Sequence, residues 1–172
     1  LRRAQLFARA LRLARACGYR GLGTFEFLIN EAWPDHPVVF IEANARLQVE
    51  HTVTEAVLGL DLVQAQLRVA AGARLADLGL NPHQPPQAQG FAIQWRINAE
   101  SLDAEGNARP GGGVLRQFSL PGGPGVRVDT HAEAGRAPSP HYDTLLAKLV
   151  VHAPGPFPQV LRRSQRALAE CH

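Results

Sequence analysis

Apolar and polar positions recur along this chain with two different periods, and the switches between them divide it into elements. Leu6, Ala10, Leu13, Ala14 and Cys17 fall at helical spacing among Arg2, Arg3, Arg9, Arg12 and Arg15, and Gly18 follows as a C-cap. The pattern predicts an amphipathic helix from Leu1 to Cys17. Thr24 to Ile29 and Val38 to Ala43 are short runs rich in β-branched and aromatic residues, set apart by a Pro- and Asp-containing stretch, and read as two strands of a hairpin. A period of two puts Phe25, Phe27 and Ile29 on one face and Thr24, Glu26 and Leu28 on the other. In the second strand Val39 and Ile41 share a face, opposite Phe40, Glu42 and Asn44. Thr52 and Glu55 then fit a capping box, and Val53, Val57, Leu60, Leu67 and Ala71 predict one helix running to Gly72.

NPHQPPQAQG, Asn81 to Gly90, reads as a boundary, with residues 1–80 before it and 91–172 after. Beyond it Phe91, Ile93, Trp95 and Ile97 alternate with Ala92, Gln94, Arg96 and Asn98, a half-buried strand with Arg96 on its polar face. PGGG (Pro110 to Gly113) and PGGPG (Pro121 to Gly125) lack the GK[ST] ending of a phosphate loop, and are expected as turns around strands Val114 to Leu120 and Val126 to His131. Leu145 to Val151 is expected as a strand or strand-helix junction, with Asp143 as a helix N-cap. Phe157 to Cys171 is expected as a closing helix. Helices and turn-linked antiparallel strands together predict an α+β fold.

Composition changes this picture little. With 172 residues, 45% of them apolar, the chain can bury a core of its own. The formal net charge is +3, and Lys148 is the only lysine. The arginines of the first helix lack interleaved aromatics and read as a solvated face, not a nucleic-acid surface. Cys17 and Cys171 form no CxxC pair, which suits a reducing cytosol. No apolar run is long enough to span a bilayer, so a cytoplasmic protein without membrane or nucleic-acid partners is expected. The sequence contains no Met, even at position 1, so a piece of a longer protein is expected.

The candidate chemistry lies between Gly23 and Glu55. If the two strands pair antiparallel, Glu26 can lie near Glu42, and two close carboxylates need a shared proton or a cation. A neighbouring Asn carbonyl favours a hard cation such as Mg²⁺; the alternative is two solvated acids on an open sheet face. In NARLQVEH, Asn44, Arg46, Gln48 and Glu50 are spaced by two, so extended chain would aim all four to one side. Together they could hold and deprotonate a small anion. The following helix would favour that anion with its N-terminal dipole. His51 and Glu55 do not form the HExxH pattern of a zinc protease.

GTFEFL, FIEANARLQVEHTVTE, QWRINAE, LRQFSLPGGPGVRVDTH and HYDTLLAKLVV, in that order, make the chain resemble the carboxyl-terminal portion of a biotin carboxylase of the ATP-grasp superfamily. The resemblance implies the end of an ATP-grasp domain followed by a mainly antiparallel biotin carboxylase C-terminal domain. It implies that Glu26, Glu42 and Asn44 bind Mg²⁺ or Mn²⁺, and that Leu28 and Glu42 contact ATP. Arg46, Gln48 and the backbone of Val49 would hold bicarbonate, and Glu50 would be the base that deprotonates it for attack on the γ-phosphate to give carboxyphosphate. Arg96 would stabilise the biotin enolate, a fixed cation aimed at developing charge. Asp143 would lie on the active-site side.

By the same resemblance the partners are a biotin carboxyl carrier protein or domain, a carboxyltransferase and a second copy in a homodimer. The glycine-rich lid and nucleotide-binding lysines would lie upstream, so the 172-residue chain alone is expected not to turn over ATP. The Asn30 to Pro37 connection is longer than in compact bacterial enzymes of the type, an insertion tolerated at a hairpin tip. Two other functions compete: an ATP-grasp ligase of the carbamoyl phosphate synthetase type, against which QVEH and RINAE argue, and a non-catalytic dimerisation scaffold.

Overall fold

A computed structural model describes residues 2–30, 32, 38–81, 84–139 and 141–172. The chain forms two units, Leu1–His51 with Asp61–Pro86, and Thr52–Leu60 with Gln87–His172.

In the first unit, helix α1 (Arg2–Ala16) half-buries Leu6, Ala10, Leu13 and Ala14 as predicted, while Cys17 is exposed. Gly18 ends it at φ 62°, and the Tyr19 amide returns to the Ala14 carbonyl at 2.9 Å. That left-handed conformation strains residues with a Cβ. Arg9 donates to the Val38 carbonyl at 2.8 Å. Strands β1 (Thr24–Ile29) and β2 (Val38–Asn44) pair antiparallel with Glu26 opposite Glu42. Most of the Asn30 to Pro37 connection, including the insertion expected at its tip, lies outside the described residues.

One departure from the expected alternation follows directly after the acidic pair. The register shifts so that Phe27 faces Phe40, their ring centroids 5.7 Å apart, and Ile41 becomes the extra residue of a β-bulge. Phe40 therefore stands on the face opposite Glu42, not beside it, and Val39 joins Leu28 on the acidic face. The edge-to-face aromatic contact favours this slip.

The single helix expected as far as Gly72 is two: α2 (His51–Leu58) and α3 (Leu62–Ala70). Gly59 closes α2 at φ 64°, its amide 2.8 Å from the Glu55 carbonyl, and Asp61 caps α3 by accepting from the Gln64 amide at 2.7 Å. A glycine stop and an aspartate start two residues apart override continuous apolar periodicity. Thr52 lies inside the first turn of α2, so the expected Thr52 and Glu55 capping box does not form; both side chains are buried. A short 3₁₀ helix (Leu75–Leu78) follows in the first unit.

In the second unit, β3 (Phe91–Asn98), β7 (Leu145–Ala153) and β6 (Val126–Thr130) form an antiparallel sheet with β7 central. Helix α4 (Phe157–Ala169) buries Val160 and Ala167 against Leu149, Val151 and Ala153, with Ile93, Trp95, Ile97, Val126 and Val128 around them. Val114 to Leu120 forms no strand: Leu115 and Gly135 bond the 115 and 136 region together, and Ser119 exchanges two bonds with His172 at 2.7 and 3.0 Å. Their backbone groups are satisfied by a loop and by the chain's last residue instead of a ladder. A small hairpin, β4 (Glu100–Leu102) with β5 (Ala108–Pro110), was not foreseen; Asp103 closes it by accepting the Asn107 amide at 2.8 Å. Asp143 accepts the Leu145 amide at 3.0 Å at the entrance to β7, so it caps a strand turn and not a helix. The α+β class holds, with every strand pairing antiparallel among the described residues.

Candidate functional site

Directly opposed positions of an antiparallel pair carry their side chains on one face, so β1 and β2 force the Glu26 and Glu42 carboxylates together. The donors that reach them are neutral amides. Asn44 Nδ2 donates to Glu26 Oε1 at 3.2 Å and to Glu42 Oε1 at 2.7 Å, and Gln48 Nε2 donates to the same Glu26 oxygen at 3.2 Å. Two like charges held side by side by amides form a site suited to a cation. Among the described residues no three His, Cys, Asp or Glu side chains form a group that could by itself hold a metal ion. Two carboxylates are what Mg²⁺ takes when phosphate oxygens complete its shell.

Leu28 lies two residues beyond Glu26 on the same face, opposite Val39; the two are 47% and 40% exposed. They make an apolar strip beside the acids.

The extended arrangement expected for Asn44, Arg46, Gln48 and Glu50 does not form. Strand β2 ends at Asn44, the chain bends at Arg46 and turns through Val49 and Glu50 into α2. Gln48 closes that turn: its carbonyl accepts the His51 amide at 3.2 Å and lies 2.7 Å from His51 Nδ1. His51 thus packs as a turn-holding residue. Arg46 is exposed, and its guanidinium donates to the Leu47 carbonyl at 3.3 Å. Glu50 is exposed immediately before the first turn of α2, whose unsatisfied amides favour anions there.

The second unit carries a polar sheet face. In one row Gln94, Val150 and Arg127 stand opposite one another across β3, β7 and β6; in the next row Arg96, Lys148 and Asp129 do so. Helix α2 covers the first row. The Thr52 hydroxyl donates to Gln94 Oε1, and Arg127 Nη1 lies 2.7 Å from Glu55 Oε2. Arg127 also binds Asp129 through two bonds, at 2.8 and 3.0 Å, and Lys148 Nζ stands 3.4 Å from Asp129. Hydrogen bonding to Asp129 raises the Arg127 pKa against partial burial, with Glu55 adding to it. Burial pushes the Asp129 carboxyl up, yet the bonds and charge of Arg127, with Lys148, hold it below its ordinary value.

The structure therefore gathers Glu26, Glu42, Asn44 and Gln48 into one group, while Arg96 and Asp143 belong to the second unit. Thr52, Glu55, Arg127 and Asp129 were missed as an interacting set. The spacing of Arg127 and Asp129 by two on a strand was a local signal, but nothing local pointed to α2 as their partner.

Two family models match the chain: the carbamoyl-phosphate synthase L chain, ATP binding domain, over residues 2–78, and the biotin carboxylase C-terminal domain over residues 94–172. The biotin carboxylase of Nostoc sp. (strain PCC 7120) is 41% identical over 162 residues, covering 94% of this chain and 34% of that one. The solved biotin carboxylase domain of a single-chain bacterial carboxylase is 49% identical with a TM-score of 0.84, covering 98% of this chain and 37% of that one. The biotin carboxylase domain dimer of Hydrogenobacter thermophilus 2-oxoglutarate carboxylase, solved with MgADP, ADP and bicarbonate, is 34% identical with a TM-score of 0.84, over 99% of this chain and 36% of that one. The chain spans 12% and 34% of the length of the first two curated relatives it matches.

Proposed function

The chain belongs to the biotin carboxylase family, and we propose that it supplies the metal, bicarbonate and transfer residues of a protein that carboxylates carrier-linked biotin with ATP and bicarbonate. The observation that carries the reading is the Glu26 and Glu42 pair with Asn44 and Gln48 donating into it.

Glu26, Glu42 and Asn44 would hold Mg²⁺ or Mn²⁺, whose chemistry is to neutralise and orient nucleotide phosphates. Leu28 and Val39 offer the exposed apolar strip beside the acids, and we assign Leu28 with Glu42 to nucleotide contact. Arg46, Gln48 and the Val49 backbone would bind bicarbonate at the turn before α2. Glu50 would take the bicarbonate proton as the oxygen attacks the γ-phosphorus; ADP leaves and carboxyphosphate forms. Carboxyphosphate then splits into CO₂ and phosphate, phosphate takes the ureido N–H proton, and the nitrogen bonds to CO₂. Arg96 would face the enolate oxygen formed on the way. Asp143, fixed by its bond from Leu145, is assigned to the rim of that site.

We place the domain boundaries at 1–80 and 91–172 with a linker at 81–90. The partners proposed are a biotin carboxyl carrier, a carboxyltransferase and a second copy in a dimer. No helix among the described residues is long and apolar enough to cross a membrane, and the compartment proposed is the cytoplasm. The test is ADP formation by the complete purified protein. Dependence on bicarbonate and stimulation by free biotin are expected; ammonia-dependent, biotin-insensitive cleavage would instead support a carbamoyl phosphate type of ligase.

A further inference from the structure

Resting on the reading that Arg96 serves carboxyl transfer to biotin, we propose that Thr52, Glu55 and Arg127 are positioning residues for that step. They fasten α2 to the sheet face that presents Arg96.

Helix α2 is short, and its two buried polar side chains each bond to one end of the same row: Thr52 to Gln94 on β3, and Glu55 to Arg127 on β6. Gln94 precedes Arg96 by two residues, so both side chains leave the same face of β3. Arg127 reaches from this row into the next through its two bonds to Asp129, which in turn meets Lys148, the residue opposite Arg96. Three cations, Arg96, Lys148 and Arg127, thus occupy neighbouring positions, with Asp129 and Glu55 interleaved as anions. Without those anions Lys148 and Arg127 would stand uncompensated on the face that presents Arg96, and the register of that face would loosen.

Apolar residues would dock a short helix at least as firmly as buried ionic groups do, because burying charge costs desolvation. What the polar fastening adds is register: a hydroxyl that fits one amide and a carboxylate that fits one guanidinium. The outer end of the network, Asp129 and Lys148, lines an open hollow of about 300 Å³ with Thr130, His131 and Leu145 to Ala147.

The test uses the complete protein and two rates. ATP cleavage without biotin needs only carboxyphosphate formation and its breakdown in water; carboxybiotin formation needs transfer as well. In Thr52→Val, Glu55→Gln and Arg127→Lys, carboxybiotin formed per ATP cleaved is expected to fall about tenfold to a hundredfold, as a displacement near 1 Å does, with biotin-free cleavage within about twofold of the parent. A purely structural role moves both rates together and leaves the ratio unchanged, and that result overturns the proposal. Arg96→Ala separates the two levels. If it retains carboxylation, the assignment of Arg96 fails; if it loses carboxylation while the three variants keep the parental ratio, the positioning fails. Should Arg127→Lys not fold, the ratio in the near-isosteric Thr52→Val decides.

Discussion

Glu26 and Glu42 stand directly opposite one another in the β1 and β2 pair, and Asn44 donates to both. Like charges at opposed positions destabilise a sheet by up to about 1 kcal/mol, so a protein that needed only the fold would gain by losing one. Glu26→Gln and Glu42→Gln are expected to unfold at the same or a slightly higher temperature than the parent. Each is also expected to lower ATP cleavage by the complete protein about a hundredfold or more, since several kcal/mol of phosphate stabilisation is lost. Melting curves and ADP release on the same preparations check both; a less stable variant with full activity contradicts the metal assignment.

Arg127 gives the nearly fully buried Glu55 one of its charge-assisted bonds. Arg127→Ala leaves that carboxylate with one charge-assisted bond fewer, and a loss of about 2 kcal/mol is expected. Urea midpoints should show Arg127→Ala together with Glu55→Ala to be less damaging than the sum of the single changes, because the first change already removes the interaction.

Acid should weaken the second unit through Asp129. Its folded pKa is depressed below the unfolded value, near 3.9, so the stability it adds is fully present above the unfolded value and is lost as pH falls through the folded one. Denaturant midpoints between about pH 6 and pH 2 are expected to fall less steeply for Asp129→Asn than for the parent, and the two curves should converge at the acid end. Parallel curves would show that Asp129 does not contribute.

Gly90 and Gly59 both take left-handed backbone, at φ 68° and 64°, but only Gly90 is crowded: a Cβ there would collide with the Ala153 carbonyl. Gly59→Ala is expected to cost about 1 kcal/mol of backbone strain. Gly90→Ala is expected to cost clearly more, because the end of β7 must move. Thermal unfolding of the two variants ranks them, and equal losses contradict the close approach.

How much of this was legible in the sequence follows from how local each signal is. The opposition of Glu26 and Glu42 could be read, because a period of two and an antiparallel pair determine it. The bulge at Ile41 could not, since it depends on the contact between Phe27 and Phe40 across the strands. The break between α2 and α3 was written locally in Gly59 and Asp61, yet apolar periodicity masked it. Polar residues spaced by two made NARLQVEH read as extended chain past Asn44, where the bonds from His51 to the Gln48 carbonyl turn it instead. Val114 to Leu120 looked like a strand, but its partners lie at Arg136 and His172, which no local pattern identifies. Glu55 and Arg127 are separated by 72 positions, and nothing short of the fold joins them.

The assignment on which the rest depends is Glu50 as the base for bicarbonate, and fixation of labelled bicarbonate into free biotin by the complete protein tests it most directly. Glu50→Gln keeps the size of the side chain and removes its basicity. The expected result is a folded protein that binds MgATP normally and fixes label about a hundredfold to ten thousandfold more slowly, the range a general base contributes. Label fixed at the parental rate by a folded Glu50→Gln protein would contradict the account.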